Sequence, residues 1–244
     1  MIYLPQEHFL KTLMKFFNKR TKYTYWLVSI LSHLLFVVYC YYFGLSYLIV
    51  SLLIGLFVFN VAAELFMHRA ISHKQFKFSS GLNNILLVLF SMCNFGSIAS
   101  NSAIHLTHHK YSDTVKDPHD YRNIGLFNMI VKNWSDDYPI NKKILCSFLK
   151  DKNIRNQHNN HLKWSLVSAI FFPFIPVASF WLINLLFIIS HLGKNEENRS
   201  INLPILYPLM WGAEMHKDHH KNINKNRMHR YDIIYAIGKS LEKL

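Results

Sequence analysis

The sequence predicts an all-α integral membrane protein, with transmembrane helical hairpins under a cytoplasmic helical cap that holds a di-metal histidine site. Three observations predict it. Residues 25–67 carry one formal charge, Glu64, over about twice the ~20 residues needed to cross a bilayer. A second uncharged run covers 164–190. Histidine supplies 15 of the 244 residues, and most sit in clusters at the ends of apolar runs. The length fits one domain, 1–244.

The chain opens on a basic arm, 1–23, with Lys11, Lys15, Lys19, Arg20 and Lys22. Phe9, Leu10, Leu13, Phe16 and Phe17 could lay part of it on a lipid surface. No small-residue cleavage site follows, so no cleaved signal peptide is expected. Gly44 divides the first apolar run into predicted spans 25–43 and 46–67. Basic residues before the first span place the N-terminus inside, and after two spans His68 is inside again. Residues 78–107 are uncharged too. Asn94, Ser97, Asn101 and His105 recur there at steps of three and four, which predicts an interfacial or protein-buried helix with a polar stripe. Residues 68–163 form the cytoplasmic and interfacial segment, polar from 108 onward. The run 164–191 contains Pro173 and Pro176 and falls short of the roughly 40 residues of two full spans, so a short or re-entrant hairpin is expected. The tail, 192–244, is basic through Lys217, Lys221, Lys225, Arg227 and Arg230. Both termini and the histidine clusters are then cytoplasmic.

The net charge of +13 raises nucleic acid as a partner. The basic residues are spread over membrane-proximal segments and form no binding motif, so none is expected. Cys40, Cys93 and Cys146 are too scattered for a disulfide framework or zinc knuckle.

Three clusters carry the chemistry: His68 with His73, then His105, His108 and His109, then His216, His219 and His220. Positions i, i+3 and i+4 share one face of a helix, so each triplet points one way. An i, i+5 pair does not share an α-helical face, so His68 and His73 suit two different metals or a helix that ends between them. His191 closes the last apolar run, where it meets the other clusters, and joins the candidate ligands. His119 stands between ligand support and a structural role. His8, His33, His158, His161 and His229 read as surface or core residues. Imidazole without cysteine suits iron, zinc, copper or nickel. A metal-ion transporter would carry ligands at the bilayer midplane on a broken helix, whereas these sit at the ends of apolar runs.

With these motifs the sequence resembles the membrane fatty acid desaturases, in particular the acyl-CoA branch, over roughly 25–235. The likeness lies in His68-Arg69 through Ser72-His73, in the run from His108 to Thr114 with Asp117-Pro118-His119, and in Gly212 to His216 with His219-His220. It implies that His68, His73, His105, His108, His109, His191, His216, His219 and His220 hold two irons, although zinc would suit the same donors. It implies molecular oxygen as co-substrate, a membrane lipid environment, and a fatty acyl substrate carried on CoA, a carrier protein or a glycerolipid. Electrons would come from a separate donor such as a b-type cytochrome or ferredoxin. Asp113, Asp117, Asp120, Glu214 and Asp218 are candidate partners for the outer ring nitrogens. The sequence departs from the family at Leu106 and Thr107, where Arg is common, and at Ala103 and Ile104, where acyl-CoA enzymes often place polar groups. It departs again at Phe187, where Asn is frequent; Asn184 lies one turn earlier. A related di-iron hydroxylase or ketolase acting on a lipid, sterol or carotenoid would share the clusters, but the run Tyr111-Ser112-Asp113-Thr114 favours the desaturases.

Overall fold

The computed structural model describes residues 22–112, 114–127, 130, 141–193 and 200–242, so the predicted basic arm lies almost wholly outside the described residues. All regular structure among the described residues is helical.

The first helix, α1, is Lys22–Phe59. Gly44 interrupts it at φ 76°, ψ −166°, a conformation that a residue without Cβ adopts freely. The rings of Phe36 and Tyr47 lie 6.3 Å apart, whereas eleven residues of straight helix would separate them by about 16 Å along the axis. The chain therefore turns back at Gly44, giving arms 22–43 and 45–59. The outward face of the first arm is Leu27, Ile30, Leu34, Val37 and Tyr41, an exposed apolar stripe at helical spacing.

A π-helix, Asn60–Ser72, follows without a break. Its wide turn returns a backbone hydrogen bond to the fifth residue back, as from His73 N–H to His68 O at 3.1 Å, and the Ser72 side chain also donates to Met67 O at 2.8 Å. Nearly every residue in it is buried.

The helix expected across 78–107 is broken in two: α2, Ser80–Met92, and α3, Ile98–Tyr111. Asn94 and Gly96, at φ 59° and 83°, interrupt the helix between them. Ser97 then caps α3 by accepting from Ser100 N–H at 3.2 Å. The polar stripe read from spacing thus holds the break: the Asn94 amide donates to Tyr25 O and Ser29 Oγ, and that of Asn101 to Phe95 O.

Two short helices, α4 (Tyr121–Ile124) and α5 (Lys142–Phe148), lead to α6, Lys152–Phe171, and α7, Phe174–Ser190. The second hairpin begins at Lys152, earlier than the apolar run suggested. Asp151 caps α6, and its polar first half is held by Gln157, which accepts from Ile98 N–H and donates to Gly96 O and Ser91 Oγ. The bend of 111° falls between Phe171 and Phe174. Pro176 breaks nothing, because it sits in the first turn of α7, where its missing N–H is harmless.

Helix α7 packs between the arms of α1. Ala178 faces Gly55, where a Cβ would come within 2.7 Å of the Ala178 Cβ. Phe180 meets Trp26 and His33, and Phe174 meets Tyr47. The Tyr39 hydroxyl donates to Ile170 O at 2.8 Å, which puts both turns, at Gly44 and at Pro173, at one end of the bundle. The clusters gather at the other end, where the rest of the chain packs as a cap: a 3₁₀ turn (Pro204–Leu206), then α8 (Tyr207–Met210), α9 (His216–Lys221) and α10 (Ile233–Leu241). Among the described residues, one continuous helical stretch, 23–72, is long and apolar enough to cross a membrane, and a second is found if the bent pair α6–α7 counts as one.

Candidate metal centre

The π-helix brings His68 and His73 to one side. Its i→i+5 ladder stacks residues five apart, and their rings lie 4.9 Å from each other. The expectation that the pair faces different ways assumed an α-helix and is corrected by this geometry. Both triplets divide. From α3, His105 and His109 join His68 and His73, whereas His108 turns to a second group. From α9, His219 joins the first group, and His216 and His220 join His108. His191, at the end of α7, lies against His108 with Asp117. The structure thus brings all nine predicted histidines together: five form one group, and the other four fall into two sets that share His108, one with His216 and His220 and one with Asp117 and His191. His33, His158, His161 and His229 belong to neither group, and His8 lies outside the described residues.

In the first group the Nε2 atoms form a chain. His73 to His105 is 2.8 Å, His105 to His109 is 3.0 Å, His109 to His219 is 3.0 Å and His219 to His68 is 2.9 Å. Each Nε2 has either one hydrogen or one lone pair, so it makes one hydrogen bond. The three inner members each have two close neighbours, so hydrogen bonds alone do not account for the chain. Lone pairs converging on a cation do. With metal–nitrogen bonds of about 2.1 Å, adjacent ligands stand about 3.0 Å apart at right angles and about 3.4 Å apart in a tetrahedron. The observed spacing matches the right-angled arrangement. In the second group His108 and His220 Nε2 lie 3.0 Å apart. The donor set therefore fits a metal ion in each group.

Protonation agrees. Burial first, and then neighbouring imidazoles, hold His73 and His220 at about 3 and push His105, His109, His216 and His219 well down. These rings are neutral at physiological pH, the form that binds metal.

The outer nitrogens are anchored. The His68 Nδ1–H donates to Glu64 Oε2 at 2.6 Å, one turn back. The His108 Nδ1–H donates to Asp117 Oδ1 at 2.7 Å, and Asp117 Oδ2 lies 3.4 Å from His191 Nε2. Burial alone would raise Asp117, but the bonds to His108 and His191 hold it well below the usual carboxylate range. At His68 and His108 these carboxylates fix the tautomer that leaves Nε2 bare, whereas His191 turns Nε2 itself towards Asp117 and Nδ1 towards Phe187 O at 3.3 Å. His220 Nδ1 pairs with Ser112 Oγ at 3.0 Å.

Asp117 was legible as such a partner, whereas Glu64 was missed. Its signal was present: the one charge in residues 25–67, a single turn before His68. The other candidates do different work. Asp120 caps α4, and Glu214 accepts from Gly212 N–H and lies 3.3 Å from His229. Asp218 sits within α9, its N–H donating to Asn202 Oδ1, and Asp113 lies outside the described residues. His119 stacks on Phe187 at 4.5 Å, beside His108, and its N–H donates to Asp117. Asn184 is turned to its own helix, donating to Phe180 O.

A cavity runs beside both groups. His68, His105, His108, His191, His216 and His219 line it, with Phe59, Met67, Phe90, Phe95, Phe187 and Met228 among the apolar residues and Glu64, Asn101 and Ser190 among the polar ones. An apolar slot beside a cluster of metal donors can take an apolar ligand and keep it away from water.

Comparison with known proteins identifies a family. The family model described as fatty acid desaturase matches residues 44–189, which include His68, His73, His105, His108 and His109. The chain is 26% identical over 143 residues to the hex-5-enoyl-(acyl-carrier protein) acetylenase of Moorena producens, covering 53% of this chain and 44% of that protein. It is 34% identical over 61 residues to the sn-1 stearoyl-lipid 9-desaturase of Synechocystis sp., covering 25% of this chain and 19% of that protein. The chain thus spans less than half the length of these curated relatives. The family match itself extends over more than half of the chain and takes in two of the three histidine clusters, so the chain belongs to the fatty acid desaturase family.

Proposed function

We propose that this protein is an oxygen-dependent fatty acyl desaturase with two iron ions. His68, His73, His105, His109 and His219 would hold one, and His108, His191, His216 and His220 the other. The observation that carries the reading is the chain of Nε2 atoms at 2.8–3.0 Å opening on an apolar slot.

When bound, the irons supply the oxygen-derived oxidant that an unactivated C–H bond demands and no side chain provides. The overall change is balanced: two adjacent methylenes lose one hydrogen each, and oxygen takes these with two protons and two electrons to leave two waters. The protein's part is placement. Glu64 and Asp117 orient His68 and His108. Met67, Phe90, Phe95 and Phe187 line the slot that would hold the acyl chain away from water.

The reading includes a multi-pass membrane topology, with the clusters on the cytoplasmic side. The shared end of the two turns, with exposed Tyr41, Tyr42 and Phe43, supports it. So does the apolar outer stripe of the first arm. The electron donor would meet the opposite side of the histidine clusters. There Lys217 and Lys221 flank an open polar depression that His109, Ser112 and His220 also line. Two lysines beside a ligand ring suit a small acidic carrier. The acyl carrier would be one of the kinds in the relatives' names, an acyl-carrier protein or a lipid.

Expression in a host with a simple fatty acid profile, with lipid mass spectrometry and a His219→Ala control, tests the function. A new oxygen-dependent cis double bond, absent in the control, is expected. A hydroxylated product would move the protein to the hydroxylases. No product from a folded, iron-loaded and electron-supplied protein would contradict an acyl substrate.

A further inference from the structure

We propose that Asp232 is a positioning residue for the five-histidine centre, acting on His68 from the C-terminal helix through Arg69 and Glu64. This rests on the two-metal reading above. The chain of contacts is continuous. Asp232 Oδ2 accepts from Arg69 Nη1 at 2.9 Å. Arg69 Nε donates to Glu64 Oε1 at 2.9 Å, and Glu64 Oε2 accepts from His68 Nδ1 at 2.6 Å. The side chains of Arg69 and Asp232 are fully buried and that of Glu64 is 5% exposed, so water screens none of these charges.

Charge balance gives Asp232 its role. One guanidinium stands between two carboxylates. Asp232 takes Nη1 and leaves Nε for Glu64, so Glu64 keeps one oxygen for His68. Without the Asp232 charge, Arg69 would keep Glu64 as its one paired carboxylate among the described residues. Glu64 would then be a poorer acceptor for His68, whose Nε2 becomes a weaker donor to metal.

The guanidinium is also clamped in place. A Cβ on Gly212, at φ 131°, would stand 2.3 Å from Arg69 Nη2. That nitrogen has no hydrogen-bond partner and lies against bare Gly212. Arg69 Nη1 further donates to Asn226 O at 3.2 Å. Asp232 is fixed in turn, because its Oδ2 accepts from Met228 N–H and its Oδ1 caps α10 through Tyr235 N–H. Met228 lines the acyl slot. One carboxylate therefore ties a ligand histidine, the slot wall and the start of α10 together.

Asp232→Asn separates charge from cap, since Asn is as good a helix cap as Asp. The experiment titrates the full-length metal-free protein with Co²⁺ and follows its absorption. Glu64→Gln marks the five-histidine site, and Asp117→Asn marks the other. Two Co²⁺ ions are expected to bind the wild type. Asp232→Asn is expected to weaken, on the order of tenfold, the same site that Glu64→Gln weakens, and to leave the site that Asp117→Asn weakens. Asp232→Glu restores the charge and is expected to recover most of the affinity. It also serves as the second variant if Asp232→Asn does not fold, and a loss at the Glu64 site equal to that of Glu64→Gln would then overturn the proposal. Wild-type affinity at both sites in Asp232→Asn, or equal weakening of both, overturns the role of Asp232 alone. A wild type that binds fewer than two ions overturns both this role and the two-metal reading.

Discussion

Glu64 and Asp117 show how much of the centre depends on single outer atoms. Each accepts from the Nδ1–H of one ligand histidine and so decides which nitrogen faces the metal. Glu64→Gln and Asp117→Asn are each expected to lower iron affinity at their own centre by about 10–100-fold, read by competition with a chelator. The histidines themselves impose a pH dependence on the metal-free fold. His73 and His220 take a proton near 3 when folded and near 6.5 when unfolded. Between those values the unfolded chain binds more protons, so their contribution is complete above about pH 6.5 and is lost as pH falls towards 3. At pH 5 this amounts to on the order of 2 kcal/mol for each. Thermal unfolding of metal-free protein in detergent should therefore occur at lower temperature at pH 5 than at pH 7.5. An unchanged midpoint would contradict the neutral, buried imidazoles described above.

At the scale of elements, sequence periodicity carried much of the arrangement. The i, i+3, i+4 spacing marked α3 and α9, and Gly44 marked a turn. The π-helix left no such mark, because residues 60–72 are buried almost all round and present no stripe from which to count a period. That is why His68 and His73 were read as facing apart. The break at Asn94–Gly96 was hidden differently: its polar residues fall at helical spacing while bonding to the backbone of the break itself. Nor could spacing show how each triplet divides between two groups, since that depends on what packs opposite. Close packing of α7 on the second arm of α1 gives a direct test. Gly55→Leu places a side chain where a Cβ already lies 2.7 Å from Ala178 and 3.0 Å from Phe174 O. Overpacking of this kind should cost about 1–3 kcal/mol or more, measured as a lower unfolding midpoint. A neutral outcome would mean that the helices part easily there.

The whole molecule puts two turns at one end and two groups of histidines at the other, with an apolar slot reaching towards the bundle. This polarity predicts sidedness. With the native cysteines replaced, a cysteine at Tyr42 should react in intact cells with a membrane-impermeant thiol reagent, and one at Lys225 should react only after the membrane is opened. Labelling of both from outside would contradict the proposed sidedness. The central claim is that nine histidines hold two irons, and metal analysis of protein reconstituted with ferrous iron under anaerobic conditions tests it most directly. The account predicts two irons per chain and one after His73→Ala with His105→Ala, which touch the first group alone. A wild-type protein that retains one iron or none under those conditions would contradict it.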